Sequence, residues 1–155
     1  MNATLFKILS RCVQQPLSRL LRGKTLGVRV AVFDSENRIL LVRHTYAPGW
    51  LMPGGGVNRG ELLKLAAARE IREEAGIIAT GNLQFHGVFA NETKFAGDFV
   101  CCYVLRQFTR NAWKPNLEIA EARFFSIEAL PDDVTGGTKR RLAEILRGQE
   151  ISEHW

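Results

Sequence analysis

Apolar and polar residues alternate with period two along residues 26–33, where Val28, Val30 and Val32 point one way and Arg29, Ala31 and Phe33 the other. A second strand-like run covers 38–43 (RILLVR), and the turn-forming Asp34-Ser35-Glu36-Asn37 between the two predicts a hairpin. Further strand patterns occupy 83–90, 99–106 and 122–126. Helical spacing dominates 61–75, rich in Leu, Ala, Arg and Glu and stopped by Gly76. A last helix is predicted over 138–147. Pro48-Gly49 and Pro53-Gly54-Gly55-Gly56 mark loops of special backbone geometry. Strands on both sides of a central helix, with another helix at the end, predict an α/β fold layered around one sheet.

The first 25 residues form a segment of their own. Leu5, Phe6, Ile8, Leu9, Cys12 and Val13 fall at helical spacing with Lys7 and Arg11 opposite, Pro16 interrupts, and Leu17, Leu20 and Leu21 resume the pattern. Residues 1–24 are therefore expected to be a basic amphipathic arm and 25–155 the folded domain. Such an arm fits a helix docked on its own domain or a partner subunit, a transit peptide, or a membrane-surface helix. Net charge of +5 suggests polyanion binding until it is located. Five of the 21 basic residues lie in residues 1–25, which have no acid, and the other 16 are matched by 16 acids. The body thus has no bias toward polyanions, and no stable nucleic-acid partner is expected. No apolar run reaches the roughly 20 residues of a membrane span, so no integral membrane contact is expected. Cys12, Cys101 and Cys102 are too few and badly placed for a disulfide scaffold, which leads to the expectation of a reducing, cytoplasmic setting.

The chemistry concentrates at 54–77. Glu70, Glu73 and Glu74 stand at i, i+3 and i+4, so their carboxylates share one helix face. Three anions so close repel one another and make sense as a cage for a hard divalent cation, Mg²⁺ or Mn²⁺. Glu61 lies two turns before Arg69, close enough to pair if Glu61 starts the helix. The glycines let the backbone approach a metal or phosphate and present a carbonyl as a ligand.

Gly55, Glu61, Arg69, Glu70, Ile71, Glu73, Glu74, Gly76 and Ile77 fill every fixed position of the pattern G-x5-E-x7-R-E-U-x-E-E-x-G-U, with U aliphatic. Chance agreement in such a chain is on the order of 10⁻⁷ or less. On these residues the sequence resembles the Nudix hydrolase family, over about residues 25–147. The resemblance implies an α/β/α sandwich with a mixed β-sheet. It also implies metal-dependent hydrolysis of a nucleoside diphosphate linked to some group X, with Mg²⁺ or Mn²⁺ as cofactor and a nucleotide-type small molecule as substrate. Glu70, Glu73 and Glu74 become metal ligands, with Glu73 or Glu74 helping to deprotonate water. Arg69 and Glu61 become an orienting pair, and the Gly54 or Gly55 carbonyl a further ligand. Many family members add an acid from outside the box, for which Glu118 and Glu121 are the candidates.

Arg29 and Arg43 lie in strands expected to flank the cleft, and each fits either a phosphate contact or an ion pair. Phe33, Trp50, Phe89 and Phe95 fit base stacking or core. His44 and His86 have no partner visible in the sequence and are assigned no role. Subgroup markers do not choose the substrate: there is no proline near Glu92, no tyrosine at Lys94 or Phe95, and no coenzyme A signature upstream. A nucleoside triphosphate or related nucleotide remains by elimination. An RNA 5′-pyrophosphohydrolase using the basic arm, and a non-catalytic nucleotide-binding module, stay open, as does a homodimer.

Overall fold

The computed structural model describes residues 24–91 and 96–155. The readings of residues 1–23 and of positions 92–95 lie outside the described residues. The elements are β1 (Thr25–Val32), β2 (Ile39–His44), β3 (Trp50–Leu51), α1 (Leu63–Ala75), β4 (Ile77–Ala79), β5 (Gln84–Ala90), β6 (Asp98–Leu105), β7 (Phe108–Arg110), β8 (Ile119–Phe125), a 3₁₀ turn (Ile127–Ala129) and α2 (Gly136–Arg147).

One sheet has the order β1-β6-β5, with β1 and β6 parallel and β5 antiparallel; another has β3-β2-β8, all antiparallel. A third pair is β4-β7. The alternation in β1 explains its place, because parallel strands are covered on both faces. Val28, Val30 and Val32 join one core with Ala67 and Ile71 of α1 and with Cys101, Tyr103 and Leu105 of β6. Ala31 and Phe33 join a second core with Met52, Phe89, Cys102, Val104 and Leu142 of α2. Helices therefore cover the two faces of this sheet, which gives the α/β layering the sequence predicts.

The expected hairpin between the first two strands does not form. β1 and β2 belong to different sheets and share one isolated bridge, Phe33 to Ile39. The turn itself is as read: Asp34 Oδ1 accepts from the Glu36 and Arg38 amides, and Asn37 takes a left-handed φ of 59°. A tight turn fixes the chain's reversal but not what pairs beyond it. β1 pairs instead with β6, buried from Val100 to Leu105, while β2 takes β3 and β8 as its partners. The helix expected from Glu61 begins at Leu63, because Glu61 is drawn off to accept from the Asn58 amide and from Arg69. Gly76 ends it in left-handed conformation, φ 67°. No helix among the described residues is long and apolar enough to cross a membrane.

Candidate metal and diphosphate site

The loop at 53–57 runs along the outer edge of β1. Val30 donates to the Pro53 carbonyl, Val28 to the Gly55 carbonyl, and Val57 to the Leu26 carbonyl. This pairing covers a sheet edge and sets the loop against α1. Two glycines make it fit. A Cβ on Gly54, whose φ is 148°, would lie 2.0 Å from the Val28 carbonyl oxygen. One on Gly55 would lie 2.7–2.9 Å from all three atoms of the Glu70 carboxylate. Glu70 thus rests on bare backbone.

Glu70 and Glu74 are both buried, at 2% and 4% exposure, whereas Glu73 lies at the exposed rim. Arg69 ties Glu70 to the loop. Its Nε and Nη2 donate to the two oxygens of Glu61 at 2.7 and 2.9 Å, Nη2 also donates to the Gly56 carbonyl at 3.0 Å, and Nη1 donates to Glu70 at 2.6 Å. Glu73 Oε2 lies 3.7 Å from Nη1. The bidentate Arg69 grip, with the Asn58 amide, overcomes partial burial and holds the Glu61 carboxyl down at about 2.

Glu74 is in the opposite situation. Burial pushes its carboxyl up to about 8. The field of Arg29 and the Gly54 amide, which donates to Glu74 Oε2 at 2.9 Å, pull against this, while Glu70 and Glu118 add repulsion. Five carboxylates, Glu61, Glu70, Glu73, Glu74 and Glu118, meet two guanidiniums, Arg69 and Arg29. The excess is negative and partly out of water, where it is most costly. An oxygen-rich donor set with surplus negative charge, one member of it lying on a loop that could not carry a side chain, fits a hard divalent cation such as Mg²⁺ or Mn²⁺.

The other residues singled out from sequence divide into two groups. Glu118 joins the site. Asn116 Oδ1 accepts from the Glu118 and Ile119 amides, and Thr45 bonds the Leu117 and Glu118 carbonyls, which fastens the turn before β8 to the end of β2. Glu121 instead pairs with Arg43, whose guanidinium also lies 5.5 Å over the Trp50 ring. Arg29 donates to the Met52 carbonyl at 2.8 Å and stays within the field of Glu74. The Gly55 carbonyl already accepts from Val28. Phe33, Trp50 and Phe89 are core.

His44 joins the cluster without having been singled out. It is 8% exposed, and one imidazole nitrogen, one Glu74 oxygen and one Glu118 oxygen all lie within 4.8 Å of one another. A signal for it existed. The alternation that puts Leu40 and Val42 of β2 in the core beneath α1 carries His44 to the same side.

A sequence model of the NUDIX domain matches residues 23–145. The chain belongs to the NUDIX family. Among curated relatives, it is 33% identical to diphosphoinositol polyphosphate phosphohydrolase 2 of Rattus norvegicus over 98 residues, 61% of this chain and 53% of that protein. It is 46% identical to a putative 8-oxo-dGTP diphosphatase of Bacillus subtilis (strain 168) over 52 residues, 34% of this chain and 35% of that protein. The chain thus spans about a third to a half of the length of these NUDIX relatives. In structure it is similar to a MutT NUDIX hydrolase from Burkholderia pseudomallei, with a TM-score of 0.69 and 24% identity over 80% of this chain and 99% of that one, which shows the NUDIX fold.

Proposed function

We propose that this chain hydrolyses the pyrophosphate bond of a nucleoside diphosphate linked to a group X, in the first place a nucleoside triphosphate or a related nucleotide. The observation that carries the reading is the buried surplus of carboxylate around Glu70 and Glu74, set over the bare backbone of Gly55. A fold gains nothing from such a cluster on its own, and a chain that only bound nucleotides would have no use for it. The relatives named as acting on a diphosphoinositol polyphosphate and on 8-oxo-dGTP support a densely anionic diphosphate as substrate.

Glu70, Glu73 and Glu74 would hold the cation, with the Gly54 carbonyl beside them. A divalent cation there supplies neutralisation of the diphosphate and lowers the pKa of water into the neutral range. The chain's own residues do the rest. Arg69, locked to Glu61 and Gly56, fixes the Glu70 carboxylate so that it need not reorganise during reaction. Arg29, whose field reaches Glu74, would meet a phosphate oxygen. Glu73 or Glu74 takes the proton of the attacking water as its oxygen bonds to phosphorus. The P–O–P bridge breaks and leaves two phosphorylated products.

A panel of nucleoside triphosphates, nucleotide sugars, ADP-ribose and 5′-triphosphorylated RNA, each with Mg²⁺ or Mn²⁺ and scored by chromatography for the two phosphorylated products, tests this. Turnover of free nucleotides that is insensitive to deleting residues 1–24 is expected. Turnover of the RNA alone, with steep salt dependence lost in that deletion, would move the assignment to RNA 5′ ends, where the basic arm acts as the contact. No turnover of any member would remove the hydrolase reading.

A further inference from the structure

Two parts of the chain outside the box helix converge with it on the cation site. His44 comes from the end of β2, Glu118 from the turn before β8, and Glu74 from the last turn of α1. The register of β2 against β8 shifts between Arg43 and His44, a local irregularity at the point where the imidazole turns beneath α1. Thr45, the next residue, bonds both the Leu117 and Glu118 carbonyls. One short stretch therefore sets the positions of His44 and Glu118 together.

The spacing discriminates between two roles for His44. Its Nε2 lies 4.0 Å from Glu74 Oε1, beyond the range of a hydrogen bond. The distance agrees with two donors around one ion. Donors on opposite sides of an octahedral cation with bonds near 2.1 Å stand about 4.2 Å apart, and adjacent ones about 3 Å apart. The Glu74, Glu118 and His44 ligand atoms all fall within 4.8 Å of one another, so side-chain rotation without backbone movement can draw them in around one such ion. The ring is 8% exposed and tilted against Tyr46 at 5.0 Å, so it is positioned by packing and not by solvent.

We infer that His44 supplies a nitrogen ligand to the divalent cation, forming with Glu74 and Glu118 a mixed nitrogen–oxygen set that favours Mn²⁺ over Mg²⁺. The preference follows from ligand chemistry. Mg²⁺ takes oxygen and keeps its waters, whereas imidazole suits later and softer ions and is accepted by Mn²⁺. This inference rests on reading the acids as a cation site and adds to it a ligand outside the box.

Mn²⁺ alone, added to the metal-free chain of residues 1–155, is the probe. Pulsed electron paramagnetic resonance reads a directly bound imidazole as ¹⁴N modulation of the Mn²⁺ signal. The chain has three histidines, and the other two are placed elsewhere: His86 on Glu144 and His154 in the C-terminal segment. The wild-type protein is expected to show the modulation, and His44→Gln to lose it. Mn²⁺ affinity should weaken by at least about tenfold in His44→Gln, the scale of removing a ligand or its immediate support. Mg²⁺ affinity, read by competition, should change by less than about threefold, since that ion draws on oxygen. Bound Mn²⁺ without nitrogen modulation in the wild-type protein overturns the assignment with no variant needed. Modulation that survives in folded His44→Gln, or equal losses for the two ions, also overturns it. Turnover on the nucleotide panel is scored separately: turnover without nitrogen coupling leaves the hydrolase in place and removes His44 from the metal.

Discussion

Among the described residues charge is buried in two places, and the two are built oppositely. Beside α2, Arg141 is fully buried and donates to Glu144 at 2.6 Å and to the His154 carbonyl at 3.0 Å, while its guanidinium lies 3.7 Å over the Phe89 ring. Glu144 also accepts from the Ser152 amide at 3.0 Å and meets His86 Nε2 at 2.8 Å. Burial alone would raise the Glu144 carboxyl, but the bonds from Ser152, Arg141 and His86 carry it below its usual range. Under α1, burial wins and Glu74 rises to about 8. Two glutamates of similar exposure, 7% and 4%, thus end on opposite sides of the ordinary value. The closed cluster is matched in charge, Arg141 against Glu144, and pins the C-terminal residues to α2 and β5. The open one has an excess of anions that only something from outside can balance. A buried charge set that satisfies itself serves the fold, and one that does not is kept for chemistry.

Arg141→Met should give the largest loss of stability, because it leaves Glu144 buried without its guanidinium. About 3–5 kcal/mol is expected in denaturant unfolding, with turnover per folded molecule unchanged. A loss of turnover without a loss of stability would blur the line between the two clusters. Gly55→Ala probes the open cluster from the backbone side, since the new methyl falls on the Glu70 carboxylate. Turnover is expected to drop by about tenfold or more with a smaller change in melting, the pattern of a displaced catalytic group.

The pH dependence of the metal-free protein sharpens the contrast further. Glu74 sits near 8 in the fold against an ordinary 4.5, so the fold favours its neutral form. That contribution is complete below about 4.5 and is lost as pH rises through about 8. Glu61, held near 2, contributes in the other sense: its stabilisation is present above about 4.5 and is lost as pH falls toward 2. Melting temperature without metal should therefore decline by several degrees from pH 5 to 9, and Glu74→Gln should flatten that decline. A wild-type curve already flat over this range would contradict the burial of an uncompensated acid. Arg43→Ala gives the smallest effect. Its pair with Glu121 is about half exposed, so stability should move by less than about 1 kcal/mol. Turnover should stay within about threefold; a tenfold rise in KM would instead assign Arg43 to a phosphate.

Much of this was legible in the chain because it depends on neighbours in sequence. Val28, Val30 and Val32 against Ala31 and Phe33 are two faces of one strand, and the box from Gly55 to Ile77 is a continuous segment whose loop and helix fold locally. What failed was long-range. The turn at Asp34–Asn37 looks the same whether β1 then pairs with β2 or with β6, 73 residues away in register. Arg43 and Glu121 are separated by 78 positions, and each alone reads as a candidate ligand. β3, β4 and β7 are two or three residues long, too short for any period to show. His44 escaped for a related reason: a histidine at a strand end acquires meaning only when a helix and a distant turn bring Glu74 and Glu118 against it.

In the function proposed above, the open cluster holds the cation for pyrophosphate hydrolysis. The most direct test of that role is turnover of Glu73→Gln and Glu74→Gln across a Mg²⁺ titration, beside melting of the same proteins without metal. Each substitution preserves size; Glu73→Gln removes a charge from the repelling set, and Glu74→Gln removes the carboxyl that the fold already holds near 8. Turnover should fall by about two or more orders of magnitude, while stability without metal holds or rises. Full turnover of both variants at low Mg²⁺, with only small shifts in stability, would show the acidic face to be a solvated surface and contradict the account.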